Sequence, residues 1–142
     1  MNKKRGITLS TLVIYIALFA IVTVVVSSVS ANMNERLFNS SGEAINYTNL
    51  NKLQYNLENS AYESDSVYII DGYVSFSNGD NYNYDVTNKV IYKNGGILCT
   101  NVDDIVASIE SDFNGKKVTL DVTFNKYLNI LKRTIIVCVE VD

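Results

Sequence analysis

Histidine, proline and tryptophan are all missing from these 142 residues, and cysteine occurs only twice. Without histidine there is no Ser-His-Asp or Cys-His triad, no imidazole acid–base chemistry, and most zinc sites are excluded. Without proline, polyproline linkers and collagen-like segments are excluded as well. Charge is sparse, 19% against 47% hydrophobic residues, which suits neither a disordered acidic tail nor an ordinary soluble enzyme. Walker A, Rossmann, CxxC and metalloprotease patterns are missing too. The reading is therefore of a non-enzyme that needs no cofactor.

What the chain has is one long apolar run. From Ile7 to Ala31 no residue is charged. A helix of that length rises roughly 38 Å, enough to cross a hydrocarbon core of about 30 Å. Lys3, Lys4 and Arg5 precede it, so the positive-inside rule leaves the N-terminus cytoplasmic and the remainder outside. Removing those three residues leaves nine basic against 15 acidic side chains, a formal charge of −6. So acidic a body argues against nucleic acid as an electrostatic partner. A conventional signal peptide is an alternative, because Val29-Ser30-Ala31 offers small residues for cleavage. The run, however, exceeds the usual h-region of about 7–15 residues.

The string Lys3-Lys4-Arg5-Gly6-Ile7-Thr8-Leu9 resembles the leader of type IV prepilins and pseudopilins. In that family a basic leader ends in Gly and is followed by Phe-Thr-Leu and an apolar helix. The resemblance implies that a membrane prepilin peptidase cuts between Gly6 and Ile7 and methylates the new N-terminus at Ile7. Lys3, Lys4, Arg5, Thr8 and Leu9 form the recognition segment. One residue departs from the pattern. The fifth residue of the mature helix is usually Glu, and here it is Thr11, which cannot form the charge pair with a neighbouring subunit's amine. The family's helix-breaking Pro is missing as well. Within the family, loss of the Glu is associated with minor subunits, particularly at the filament tip.

Beyond Asn32 the composition turns polar while apolar residues keep helical spacing. Met33 and Leu37 are four apart, and Leu50, Leu53, Leu57 and Ala61 continue a one-sided stripe. The helix is expected from Ile7 to about Tyr62, loosened or kinked near Ser40-Ser41-Gly42, since Gly costs about 1 kcal/mol relative to Ala. Three Asn-Gly pairs, at 78–79, 94–95 and 114–115, mark hairpins. They delimit strands near 67–70, 72–77, 81–86, 89–93, 97–100, 104–111, 117–124 and 133–141. Val118, Leu120, Val122 and Phe124 share one face, as do Ile135, Val137, Val139 and Val141. The fold class is α+β: a long N-terminal helix, membrane-spanning in its first half, packed on an antiparallel β-meander headgroup, pilin-like in its order. The expected segments are a leader at 1–6, a membrane or filament-core helix at 7–31, its amphipathic continuation at 32–62 and the headgroup at 63–142.

Other candidates have plainer explanations. Asn78 to Asp85 offers alternating oxygens, but as an EF-hand from Asn81 it lacks the Gly and the closing Glu, and a polar hairpin accounts for it better. Asp103-Asp104 reads as a solvated turn. Asparagine occurs 18 times, so the N-x-[ST] matches at Asn39 and Asn46 are expected by chance. Ten tyrosines invite base stacking, but strands favour aromatics anyway. Cys99 and Cys138 could form a disulfide on an extracellular side, or be small core hydrophobes.

The sequence thus predicts a minor pilin or pseudopilin, a structural or initiating subunit of a type IV filament. Its partners would be other pilin or pseudopilin subunits, the prepilin peptidase, the filament assembly machinery, and membrane lipid before assembly. Alternatives are a secreted or membrane-anchored binding module, and a competence pseudopilin of a DNA-uptake machine.

Overall fold

The computed structural model describes residues 4–70, 72–112 and 115–140. Lys3, Asn114 and Val141 lie outside the described residues, and only the backbone is described from Lys4 to Thr8. The chain falls into two compact units, Met1–Phe38 and Asn39–Asp142. One helix, α1 (Lys4–Tyr62), enters both.

In the first unit α1 is apolar and its side chains are exposed. Leu9, Leu12, Val13, Ile14, Phe19, Ile21 and Val24 all face outward. Three of its hydroxyls bond back to their own helix. Thr23 Oγ1 donates to the Phe19 carbonyl, Ser27 Oγ to Thr23 and Ser28 Oγ to Val24, each at 2.8 Å. Such back-bonding pairs those three hydroxyl hydrogens even in an apolar medium. The segment is long and apolar enough to span a membrane or to act as a signal.

The second unit holds the rest of α1 and eight strands. These are β1 (Val67–Ile70), β2 (Tyr73–Phe76), β3 (Asn81–Asp85), β4 (Val90–Lys93), β5 (Gly96–Thr100), β6 (Val102–Asp112), β7 (Gly115–Lys126) and β8 (Asn129–Glu140). The α+β class is as expected, and all pairings are antiparallel between consecutive strands. The meander is divided, however, into a five-stranded sheet β1–β5 and a three-stranded sheet β6–β8. The break falls at Asn101, the one residue between β5 and β6, which turns with φ of 59°. Asn tolerates that left-handed conformation better than most residues. Tyr84 Oη donates to the carbonyls of Val102 and Asp103, and the Asn125 amide donates to the Asp103 carboxylate, so the corner is held from both sheets.

The core is one cluster drawn from all layers. Leu50, Leu53, Leu57 and Ala61 of α1 meet Val67, Val74, Phe76, Ile91 and Cys99 of one sheet. From the other sheet come Val118, Leu120, Val122, Phe124, Ile135, Val137 and Val139. The helical stripe and both strand alternations are thus buried where the spacing puts them. Met33 and Leu37, in the first unit, are exposed. The helix stops at Tyr62, where the Ser77 hydroxyl accepts the backbone N–H groups of Asp65 and Ser66.

Two local expectations are corrected. The helix runs unbroken through Gly42, which is buried against the β7–β8 turn. A Cβ there would lie 2.7 Å from the Lys126 carbonyl oxygen and 3.3 Å from the Tyr127 ring. Gly42 is therefore a close-approach residue within a continuous helix. The last strand begins at Asn129, four residues earlier than expected. Its hairpin turns on Tyr127 and Leu128, with φ of 51° and 65°, although side-chain-bearing residues resist that conformation by about 1–2 kcal/mol each. Asn94 and Gly95 make the corresponding β4–β5 turn with φ of 51° and 81°, which is what an Asn-Gly pair predicts.

Candidate functional site

The expected processing site, Gly6 and Ile7, lies on helical backbone, since α1 begins at Lys4 and not at Ile7. Leu9 is exposed on the same helix. Thr11, which the resemblance aligns with the family's usual Glu, lies on the same helix.

The headgroup contains two polar clusters that tie elements together. In the first, Ser60 of α1, Asp80 before β3, Tyr82 of β3 and Lys93 of β4 converge. Ser60 Oγ donates to Asp80 Oδ2 and lies 2.7 Å from Tyr82 Oη. Lys93 Nζ is 2.9 Å from Asp80 Oδ2 and 5.5 Å from the centre of the Tyr82 ring. Asn94 Nδ2 donates to the other Asp80 oxygen at 2.8 Å. Burial pushes the Asp80 carboxyl up, but hydrogen bonds from Ser60, Lys93 and Asn94 with the Lys93 charge outweigh it and bring the pKa down to about 2. Burial likewise pushes the Tyr82 phenol up. Both carboxylate oxygens of Asp80 are thus directed at this chain's own donors. Asp85 is similarly engaged, accepting from the backbone N–H groups of Thr87 and Asn88. The cluster can brace the end of α1 on the sheet. Ser60 and Lys93 carry no local sequence signal, because their meeting depends on the register of β3 and β4.

The second cluster clamps α1 to the β7–β8 turn. Asn129 Nδ2 donates to the Asn39 carbonyl at 3.0 Å, and Asn46 Nδ2 donates to the Asn129 carbonyl at 2.8 Å. Asn46 is 1% exposed, which closes that N-x-[ST] position to a glycan once the chain has folded. Its Oδ1 is the one buried side-chain oxygen or nitrogen without a hydrogen bond among the described residues.

The cysteines are both free, and the bridge considered above does not form. Cys99 is buried in β5 of one sheet and Cys138 is exposed on β8 of the other. Strand alternation is the reason: Val137 and Val139 take the inward positions, so Cys138 points out. Burial pushes the Cys99 thiol up to about 12, and its Sγ donates to the Asn49 carbonyl at 3.2 Å.

The basic pairs are dispersed. Lys116 lies over the Tyr68 ring at 4.3 Å and donates to the Val67 carbonyl, while Lys117 pairs with Glu110. Lys132 and Arg133 are exposed on β8. Asp103 of the acidic pair is bound to Lys89 at the sheet corner.

No protein-family model, curated protein or solved structure matches this chain. The architecture, a long apolar N-terminal helix whose later turns pack on antiparallel sheets, is consistent with a pilin-like arrangement.

Proposed function

We propose that this chain is a minor pilin or pseudopilin, a structural and initiating subunit of a type IV filament. The observation that supports the reading most is the single helix from Lys4 to Tyr62, exposed and apolar in its first part and buried along one stripe in its second. A conventional signal peptide has no need of such a continuation. The motif Gly6-Ile7-Thr8-Leu9, behind three basic residues, supplies the processing signal. In this reading the precursor sits in the bilayer with its headgroup on the extracytoplasmic side. The peptidase cuts after Gly6, Ile7 is N-methylated, and a cytoplasmic assembly ATPase drives extraction into a helical bundle. There the apolar faces from Leu9 to Val29 exchange lipid for like segments of other subunits, and the subunit becomes part of a surface filament.

Intact-mass measurement tests the reading. A mature chain beginning at methylated Ile7, with Gly6→Val leaving the precursor uncut, supports it. A mature chain beginning at Asn32 would mean a signal peptide and a released binding module.

A further inference from the structure

The edges of the two headgroup sheets are not alike. β1 lies against β6, and the Thr100 carbonyl at the end of β5 accepts the Asn49 amide of α1. β8 ends the three-stranded sheet and pairs with β7 along its whole length without a bulge. Its hairpin decides which groups face outward. The two-residue turn, positive in φ at Tyr127 and Leu128, closes on the Lys126–Asn129 pair, a hydrogen-bonded pair in hairpins of this kind. Such pairs recur at every second residue, so Ile135, Val137 and Val139 direct their N–H and C=O groups to β7. Ile136, Cys138 and Glu140 turn theirs to the open side, where no other backbone meets them among the described residues.

Proteins usually blunt such an edge with lysine, proline, a bulge or an inward charge. β8 carries Lys132 and Arg133 in its first half, but from Thr134 to Val139 it has no charge. A groove of about 480 Å³ lies beside that unprotected half. Ile136, Cys138 and Glu140 line one side, and Glu58 and Tyr62 of α1 with Asp65 line the other. Ile136 is 54% exposed and Tyr62 94%, so both offer apolar surface to an occupant. None of the three carboxylates has an ion-pair partner among the described residues, and no lysine or arginine lines the groove. Open main-chain groups, two apolar side chains and an all-acidic rim thus meet in one place.

We propose that the second half of β8 is a docking edge for an extended, basic segment of a partner protein. The segment's backbone continues the β6–β7–β8 sheet at Ile136, Cys138 and Glu140, and its lysine or arginine side chains meet Glu58, Asp65 and Glu140. Main-chain hydrogen bonds supply the affinity of such strand addition, and the complementary charge selects the partner. Every residue involved belongs to the second unit, so the docking edge does not rest on the filament reading.

The test uses the full-length chain in detergent micelles and a short blocked peptide of alternating valine and lysine. Two comparison peptides carry glutamate in place of lysine, or methyl groups on every backbone amide of the basic form. Fluorescence anisotropy of labelled peptide reports binding, and amide hydrogen exchange reports where it occurs. In the free chain the Ile136 and Cys138 amides should exchange fast, and those of Val137 and Val139 slowly. The basic peptide should slow Ile136 and Cys138 by about tenfold or more. The acidic and methylated peptides should each bind about tenfold more weakly. Asp65→Lys with Glu140→Lys should weaken the basic peptide about tenfold while leaving the melting temperature unchanged. Equal binding of the methylated peptide would reduce the contact to charge alone, and equal binding of the acidic one would remove the basic partner. Either result overturns the proposal, as does the absence of binding or protection confined to other strands. Protection of Ile136 and Cys138 without peptide, rising with protein concentration, would mean that a second copy fills the edge, which overturns it too. Should the lysine variant misfold by circular dichroism, the peptide series on the unaltered chain decides alone.

Discussion

Individual side chains in this headgroup differ most in how far water reaches them, and the two thiols make the difference measurable. Cys99 is buried, with its thiol pushed up to about 12, while Cys138 is exposed. The thiolate is the reactive form, so a maleimide should modify one cysteine of the folded chain, and the second only in denaturant. Labelling stoichiometry by mass spectrometry checks this; slow modification of both, or of neither, would contradict the placement. Asp80 offers a second test. Its carboxyl lies below the ordinary value of 3.8, at about 2, because Ser60, Lys93 and Asn94 overcome the effect of burial. A group depressed on folding stabilises fully above its unfolded pKa, and that contribution disappears as pH falls through the folded value. Asp80→Asn should therefore cost about 1–3 kcal/mol at neutral pH, the usual penalty for leaving partly buried polar partners unmatched. The gap between variant and wild type should shrink as pH drops from about 4 towards 2, as urea melts across that range would record.

Secondary elements are joined by contacts whose sign can run against propensity. In an exposed helix Gly→Ala gains about 1 kcal/mol. At Gly42 the added methyl would strike the Lys126 carbonyl oxygen at 2.7 Å and the Asn129 amide at 2.9 Å. Gly42→Ala should instead destabilise the headgroup by about 1–3 kcal/mol, the range for overpacked sites, and a thermal melt of the purified variant decides the sign. This residue shows where sequence reading ends. Leu50, Leu53, Leu57 and Ala61 were legible as a stripe because helical spacing is local, and Val118 to Phe124 because alternation is local. A Gly that admits another element's backbone looks the same, in sequence, as a Gly that loosens a helix. Tyr127 and Leu128 hid the last hairpin for a related reason, since neither residue signals positive φ. The split into two sheets at Asn101 was equally invisible, since one asparagine among many gives no hint that the next strand starts a new layer. Ser60, Asp80, Tyr82 and Lys93 meet only once strand register is set.

For the whole molecule, the proposed filament role turns on how many copies a filament would contain. In an apolar bundle, removing one partner of a buried ion pair typically costs about 3–5 kcal/mol. A subunit with Thr11 in place of the family's Glu offers no carboxylate to the next subunit's amine, which suits a chain present once or a few times at initiation. Deletion should abolish or sharply reduce filaments, and quantitative proteomics of sheared filaments should find the chain at low stoichiometry. Recovery as the main component would defeat the proposal. The clamp between α1 and β8 has a further consequence, one of timing. Its hydrogen bonds join residues 83 and 90 positions apart, whereas the strands pair only with their sequence neighbours. During synthesis both meanders can form as they emerge, but the Leu50–Ala61 stripe stays uncovered on one flank until Ile135, Val137 and Val139 arrive. A nascent or truncated chain therefore displays an open greasy helix to any protease it meets, and the arrival of β8 ends that exposure.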